Sequence, residues 1–201
     1  MAAKERSMRL APLASGLAIC ALVALWHTPA SADGSWMDRS AIAPWNVLGA
    51  AVPKPPHAPA SDLERCAGTV RQPETEVDRA VTAAGWKLFA AYQLFDGTAV
   101  VLGMGDADGM CRPDAYQGFV FVKGVFAGTL SPTPMDSRTD GALSAPSLFT
   151  PASFFVDFLR YAPSDPLCCA SRTTVVQYRV EQRDGKPVVV PLEAETGKNG
   201  S

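Results

Sequence analysis

Three two-residue turns set what this chain can fold into. Asp96-Gly97, Lys123-Gly124 and Asp184-Gly185 each separate two runs rich in Val, Phe, Tyr or Leu. A glycine available for positive φ between two such runs is a strong short-range signal for a tight β-hairpin. Residues 86–95 with 98–104, 118–122 with 125–130, and 173–182 with 187–192 are therefore read as three antiparallel strand pairs. Residues 152–161 carry Phe154, Phe155, Val156, Phe158 and Leu159; periodicity leaves strand and short helix open, and strand is taken. The clearest helix is 73–85, where acids crowd the first turn, Val77, Ala80, Val81 and Ala84 share one face, and Gly85 suits the position just past the end. The expected fold is α+β: an antiparallel sheet of about six or seven strands with one short helix packed on a face, a mostly β barrel or sandwich being the alternative.

The first residues are expected to direct the chain out of the cytoplasm. Lys4, Arg6 and Arg9 precede an apolar run from Leu10 to Trp26, and Ala30-Ser31-Ala32 follows, which is the layout of a secretory signal peptide over 1–32. The run is short of the ~20 apolar residues that cross a bilayer, so no transmembrane anchor is expected after cleavage. At Cys20 the preceding Ile19 is bulkier than lipoprotein signals take, and lipidation there is not expected. Removing Lys4, Arg6, Arg9 and Glu5 from 18 basic and 20 acidic residues leaves 15 against 19, a net of about −4. Nucleic acid is an improbable partner for such a surface.

Residues 33–63 contain Pro44, Pro53, Pro55, Pro56 and Pro59 and read as an extended tether, with docking of Trp36, Trp45, Val47 and Leu48 as the alternative. A single disulfide-stapled domain is placed at 64–192 and a flexible tail at 193–201. Within the domain, residues 131–151 form a long polar loop holding four prolines, and long loops inside compact domains are usually functional or disordered.

Chemistry-bearing residues are sparse. The mature chain has one histidine, His57, lodged in the tether, so histidine-based hydrolysis lacks its usual general base. Asp106-Ala107-Asp108-Gly109 begins like a calcium loop, but Met110 and Cys111 stand where the pattern needs a further oxygen ligand and the bend glycine; it reads as a turn leading into Cys111. No catalytic residue, cofactor or metal ligand is assigned. Asp136 and Asp140 flank Arg138 in the long loop, which makes these three the first choice for a ligand or partner surface and the basis of an alternative carboxylate enzyme. A more ordinary reading is a charge cluster that orders its own loop.

Four cysteines follow the leader: Cys66, Cys111, Cys168 and Cys169. An even number in an exported chain points to disulfides. Bonding of neighbours closes a strained ring, so the two crossed arrangements, in which Cys168 and Cys169 each reach a distant partner, are favoured over a vicinal bond with Cys66–Cys111. A vicinal pair would instead raise a dithiol redox role.

Gly118-Phe119-Val120-Phe121-Val122-Lys123-Gly124-Val125-Phe126-Ala127-Gly128-Thr129-Leu130-Ser131-Pro132 and the closing strand Val175-Val176-Gln177-Tyr178-Arg179-Val180, together with a cysteine ahead of a short acidic helix, resemble the LppP/LprE family of actinobacterial envelope lipoproteins over about residues 66–182. The resemblance implies an exported protein, periplasmic, envelope-associated or secreted, without an assigned reaction. It carries over no catalytic residue. Its role is expected to be non-enzymatic binding or structural, toward an envelope component or a small ligand.

Overall fold

Both residues of each turn adopt a left-handed backbone: φ is 44° and 82° at Asp96-Gly97, 48° and 81° at Lys123-Gly124, and 49° and 72° at Asp184-Gly185. That is the geometry of a two-residue hairpin whose twist matches its strands. The computed structural model describes residues 34–56, 62–144 and 146–200; the expected signal peptide, Cys20 and His57 lie outside them. The described strands are β1 (Lys87–Phe95), β2 (Thr98–Ala107), β3 (Pro113–Val122), β4 (Val125–Thr129), β5 (Ala142–Leu143), β6 (Ser147–Thr150), β7 (Ser153–Arg160), β8 (Arg172–Arg183) and β9 (Lys186–Lys198). Helices α1 (Asp62–Arg65) and α2 (Glu76–Ala83) precede them.

The strands form two antiparallel sheets. One has the order β1-β2-β3-β4; the other has the order β5-β7-β8-β9, with β6 also paired to β7. They stack face to face around one core, to which β2 contributes Val100, Leu102 and Met104, β3 Tyr116 and Val120, β7 Phe154, Val156 and Phe158, and β8 Val176 and Tyr178. On the outer face of the first sheet, Val77 and Val81 of α2 cover Leu88, Val101, Phe119 and Phe121, together with Trp86. The result is a sandwich-like α+β fold without a closed barrel.

Burial follows sequence pattern. Strand β7 alternates half-buried and buried residues along its length, as a strand with one face in the core should. Strand β2 reads as a continuous apolar run and is buried through its first eight positions, because the core lies on one side and α2 on the other. Helix α2 begins with a reciprocal capping box: the Thr75 hydroxyl accepts from the Asp78 N–H, and the Asp78 carboxylate accepts from the Thr75 N–H.

Three expectations change. More strands form than the hairpins announced, because part of the 131–151 segment supplies β5 and β6 along β7. Residues 193–198, expected as a loose tail, continue β9 and pair with β8 out to Lys198. Residues 34–56, read as a tether, lie against the sheets. Met37 is buried, Trp36 packs edge-on against Trp45 and Phe158 at 5.1 and 5.9 Å, Asp38 pairs with Arg160 at 2.9 Å, and the Pro53 carbonyl accepts from the Trp86 indole at 2.7 Å. Prolines deny this segment a ladder of its own but leave its carbonyls and aromatic rings free to dock.

The cysteine pairing also differs from the crossed arrangement. Cys66 bonds Cys111, and Cys168 bonds Cys169. The turn Asp108–Arg112 between β2 and β3 brings Cys111 beside Cys66 at the core edge, which leaves the exposed pair after β7 without a distant partner.

Candidate functional site

The loop between β4 and β5 is held along β3. Met135 exchanges both backbone hydrogen bonds with Tyr116, at 2.8 and 2.9 Å. The Ser137 hydroxyl donates to the Pro113 carbonyl at 2.6 Å. Buried Tyr116 donates its hydroxyl to the Gly141 carbonyl where the loop ends, and burial pushes that phenol far up.

Asp136, Arg138 and Asp140 do not converge on one point. Asp136 accepts from the Ala115 N–H at 2.9 Å. Asp140 accepts from the Asp136 N–H at 2.8 Å, while its own N–H returns to the Asp136 carbonyl. Arg138 reaches the next loop instead: it donates to the Asp165 carbonyl at 2.8 Å and stacks 4.7 Å over the Tyr161 ring. Asp140 thus orders the loop through its own backbone, Asp136 ties it to β3, and Arg138 ties it to the segment after β7.

The titrating group that sequence reasoning missed is Asp114. A hydrogen bond with Asp136, burial and repulsion from the Asp136 charge push its carboxyl up to about 6. Both side chains also aim an oxygen at the one Ala115 N–H, at 3.2 Å from Asp114 and 2.9 Å from Asp136. Ala115 is left-handed, with φ 45°, an unusual conformation for a side chain with a Cβ. The β2–β3 register sets Asp106 opposite Asp114, and the approach of Asp136 requires the folded loop, so neighbouring residues in the sequence carry no signal for the pair.

Two clefts flank the loop. The larger, about 380 Å³, lies between the docked N-terminal segment and the loop, with Trp36, Arg39, Thr133, Met135 and Asp140 in its wall. The smaller, about 280 Å³, is lined by Phe89, Arg112, Tyr116, Ser137 and Leu143. The stretch that began like a calcium loop is a turn: Asp108 accepts from the Met110 and Arg112 N–H groups at 2.9 Å and pairs with the Arg112 guanidinium at 2.6 Å. Among the described residues no cluster of three or more His, Cys, Asp or Glu side chains is arranged to hold a metal ion.

The loop carrying Cys168 and Cys169 has its own framework. The Asp165 carboxylate accepts from the N–H groups of Ala162 and Ser171, at 2.6 and 2.9 Å, and those donors hold its pKa below the usual carboxylate range. Asn199, just past β9, donates to the Ala170 carbonyl at 2.7 Å. Leu167, Cys168 and Cys169 are exposed.

Among the described residues no helix is long and apolar enough to cross a membrane. Neither the curated proteins nor the solved structures yield a match to this chain. A family model does match, and lipoproteins are exported, envelope-associated proteins, which is the coarse placement it supports. Residues 93–183, from the end of β1 through β8, match the LppP/LprE lipoprotein family, and over that stretch the chain is LppP/LprE-like.

Proposed function

We propose that this exported protein acts by non-catalytic binding, taking a small ligand or part of an envelope component in the cleft between residues 34–39 and the loop 132–140. The observation behind the reading is the composition of that wall: an indole at Trp36, a thioether at Met135, a hydroxyl at Thr133 and a carboxylate at Asp140 around about 380 Å³. Ligand sites are concave surfaces of this size that combine apolar area with a few placed polar groups. The charged loop residues support a scaffold role, since Asp136 and Arg138 are engaged with backbone groups. The test is an amide-resolved NMR titration with a panel of monosaccharides, aliphatic alcohols and short acidic and basic peptides. The expected result is shifts clustered at Trp36, Thr133 and Asp140 that vanish in Trp36→Ala. Shifts scattered over the surface, or none with any probe, overturn it.

A second reading, carboxylate chemistry, draws on the acidity of Asp114 rather than on the Asp136, Arg138 and Asp140 set. A carboxyl in a partly buried pair that keeps its proton to higher pH is what a general acid needs. It requires turnover of chromogenic glycosides or esters that disappears in Asp114→Asn, and absence of turnover in the unmodified protein removes it.

A further inference from the structure

Cys168–Cys169 lacks the attributes of a structural staple. Adjacent residues close no long loop, so the bond removes little conformational freedom from the unfolded chain, whereas Cys66–Cys111 spans 45 residues. The loop around the pair is shaped by other bonds. Asp165 bridges Ala162 and Ser171, Arg138 holds the Asp165 carbonyl, Cys169 donates its N–H to the Pro166 carbonyl at 3.2 Å, and Asn199 holds Ala170. None of these bonds uses a sulfur. Both cysteines are exposed, while Cys66 is only 2% exposed. Arg138, reaching across from the β4–β5 loop, sets a positive charge against the Asp165 and Pro166 carbonyls of this segment at 2.8 and 3.4 Å, and positive charge nearby favours a thiolate as leaving group.

From exposure, adjacency and a framework independent of sulfur, we propose that Cys168–Cys169 is a thiol–disulfide exchange site that accepts two electrons from an exported dithiol partner. A thiolate of the partner attacks one sulfur of the pair, forming a mixed disulfide and expelling the other sulfur as a thiolate, which takes a proton from water. The partner's second thiol gives up its proton to solvent, attacks the mixed disulfide and leaves as a disulfide, and the released cysteine is protonated. The pair is reduced to two thiols and the partner dithiol is oxidised, so electrons and protons balance. Cys66–Cys111 stays closed throughout. The proposal is independent of the cleft and of what binds there.

Graded dithiothreitol, alkylation with iodoacetamide and peptide mass mapping of the purified full chain test it. Cys168 and Cys169 are expected to be alkylated at a reductant concentration at least about tenfold below that needed for Cys66 and Cys111, with an unchanged circular dichroism spectrum. Opening of both pairs together, alkylation only as the spectrum collapses, or mapping of Cys168 or Cys169 to a distant cysteine overturns it. As a second measurement, a thioredoxin-type protein whose resolving cysteine is replaced by serine is expected to form a covalent adduct that Cys168→Ser/Cys169→Ser abolishes. Lack of an adduct with the unmodified chain counts equally against the proposal.

Discussion

Asp78 is buried to 0% side-chain exposure and sits at the head of α2. Burial alone would raise its pKa, but the Arg71 guanidinium at 2.6 and 2.9 Å and the N–H groups of Thr75 and Glu74 outweigh it and hold the carboxyl at about 2. Asp78→Ala leaves Arg71 and two backbone donors without their acceptor, and is expected to cost about 3–5 kcal/mol in urea unfolding. Because its folded value lies below the ordinary 3.8, the stability Asp78 contributes is present above about pH 4 and is lost as pH falls toward about 2. Asp114 has the opposite sign. Its folded value of about 6 lies above 3.8, so its contribution is present below about pH 4 and is lost as pH rises through 6. Thermal melts of Asp114→Asn are expected to lack the decline in stability between about pH 4 and 6; a slope equal to that of the unmodified protein would sink the acid-pair assignment. The Thr75 and Asp78 cap is written in four consecutive residues, whereas Asp114 is 22 positions from Asp136 and its acidity becomes visible only when the loop lies on β3.

At the scale of elements, the hairpins were legible because each needs only a turn and two flanking runs, all local. The β2–β3 connection shows what was not. Asp108 and Arg112 fold it into a turn that presents Cys111 to Cys66, and nothing in the spacing of four cysteines ranks that pairing above the crossed ones. Cys66–Cys111 ties the turn after α1 to the tip of the β2–β3 hairpin. The double change Cys66→Ala/Cys111→Ala is expected to lose about 4 kcal/mol by the chain-entropy relation for this separation, read from the denaturation midpoint. A loss below about 1 kcal/mol would mean that the unfolded chain is already constrained there.

Across the whole molecule, the two sheets meet where β4 runs beside β9 without a backbone ladder between them. Asn46 fills that seam. Its side-chain amide donates to the carbonyls of Thr129 and Val189, both at 3.0 Å, and its oxygen accepts from the Thr129 N–H at 2.8 Å. A primary amide presents the same donor and acceptor as a peptide group, so this side chain substitutes for the missing rung. Gly128 makes room for it: φ is 141°, and a Cβ there would stand 2.3 Å from the Asn46 carboxamide carbon. Gly128→Ala is expected to destabilise by about 2–4 kcal/mol through the clash and the strained backbone, and Asn46→Ala by about 1–3 kcal/mol through unpaired buried groups. Combined, the two should cost clearly less than their sum, because the alanine at 46 removes the clash; additive losses in a double-mutant cycle would refute the seam. The sequence by itself determined the hairpins, the helix with its cap, the antiparallel α+β class and the family resemblance, since each depends on residues a few positions apart. Tertiary structure alone decided the cysteine pairing, the docking of residues 34–56, the extension of β9 and the meeting of Asp114 with Asp136. These depend on which distant surfaces bury one another, and burial is a property of the assembled sheets rather than of any one stretch of chain.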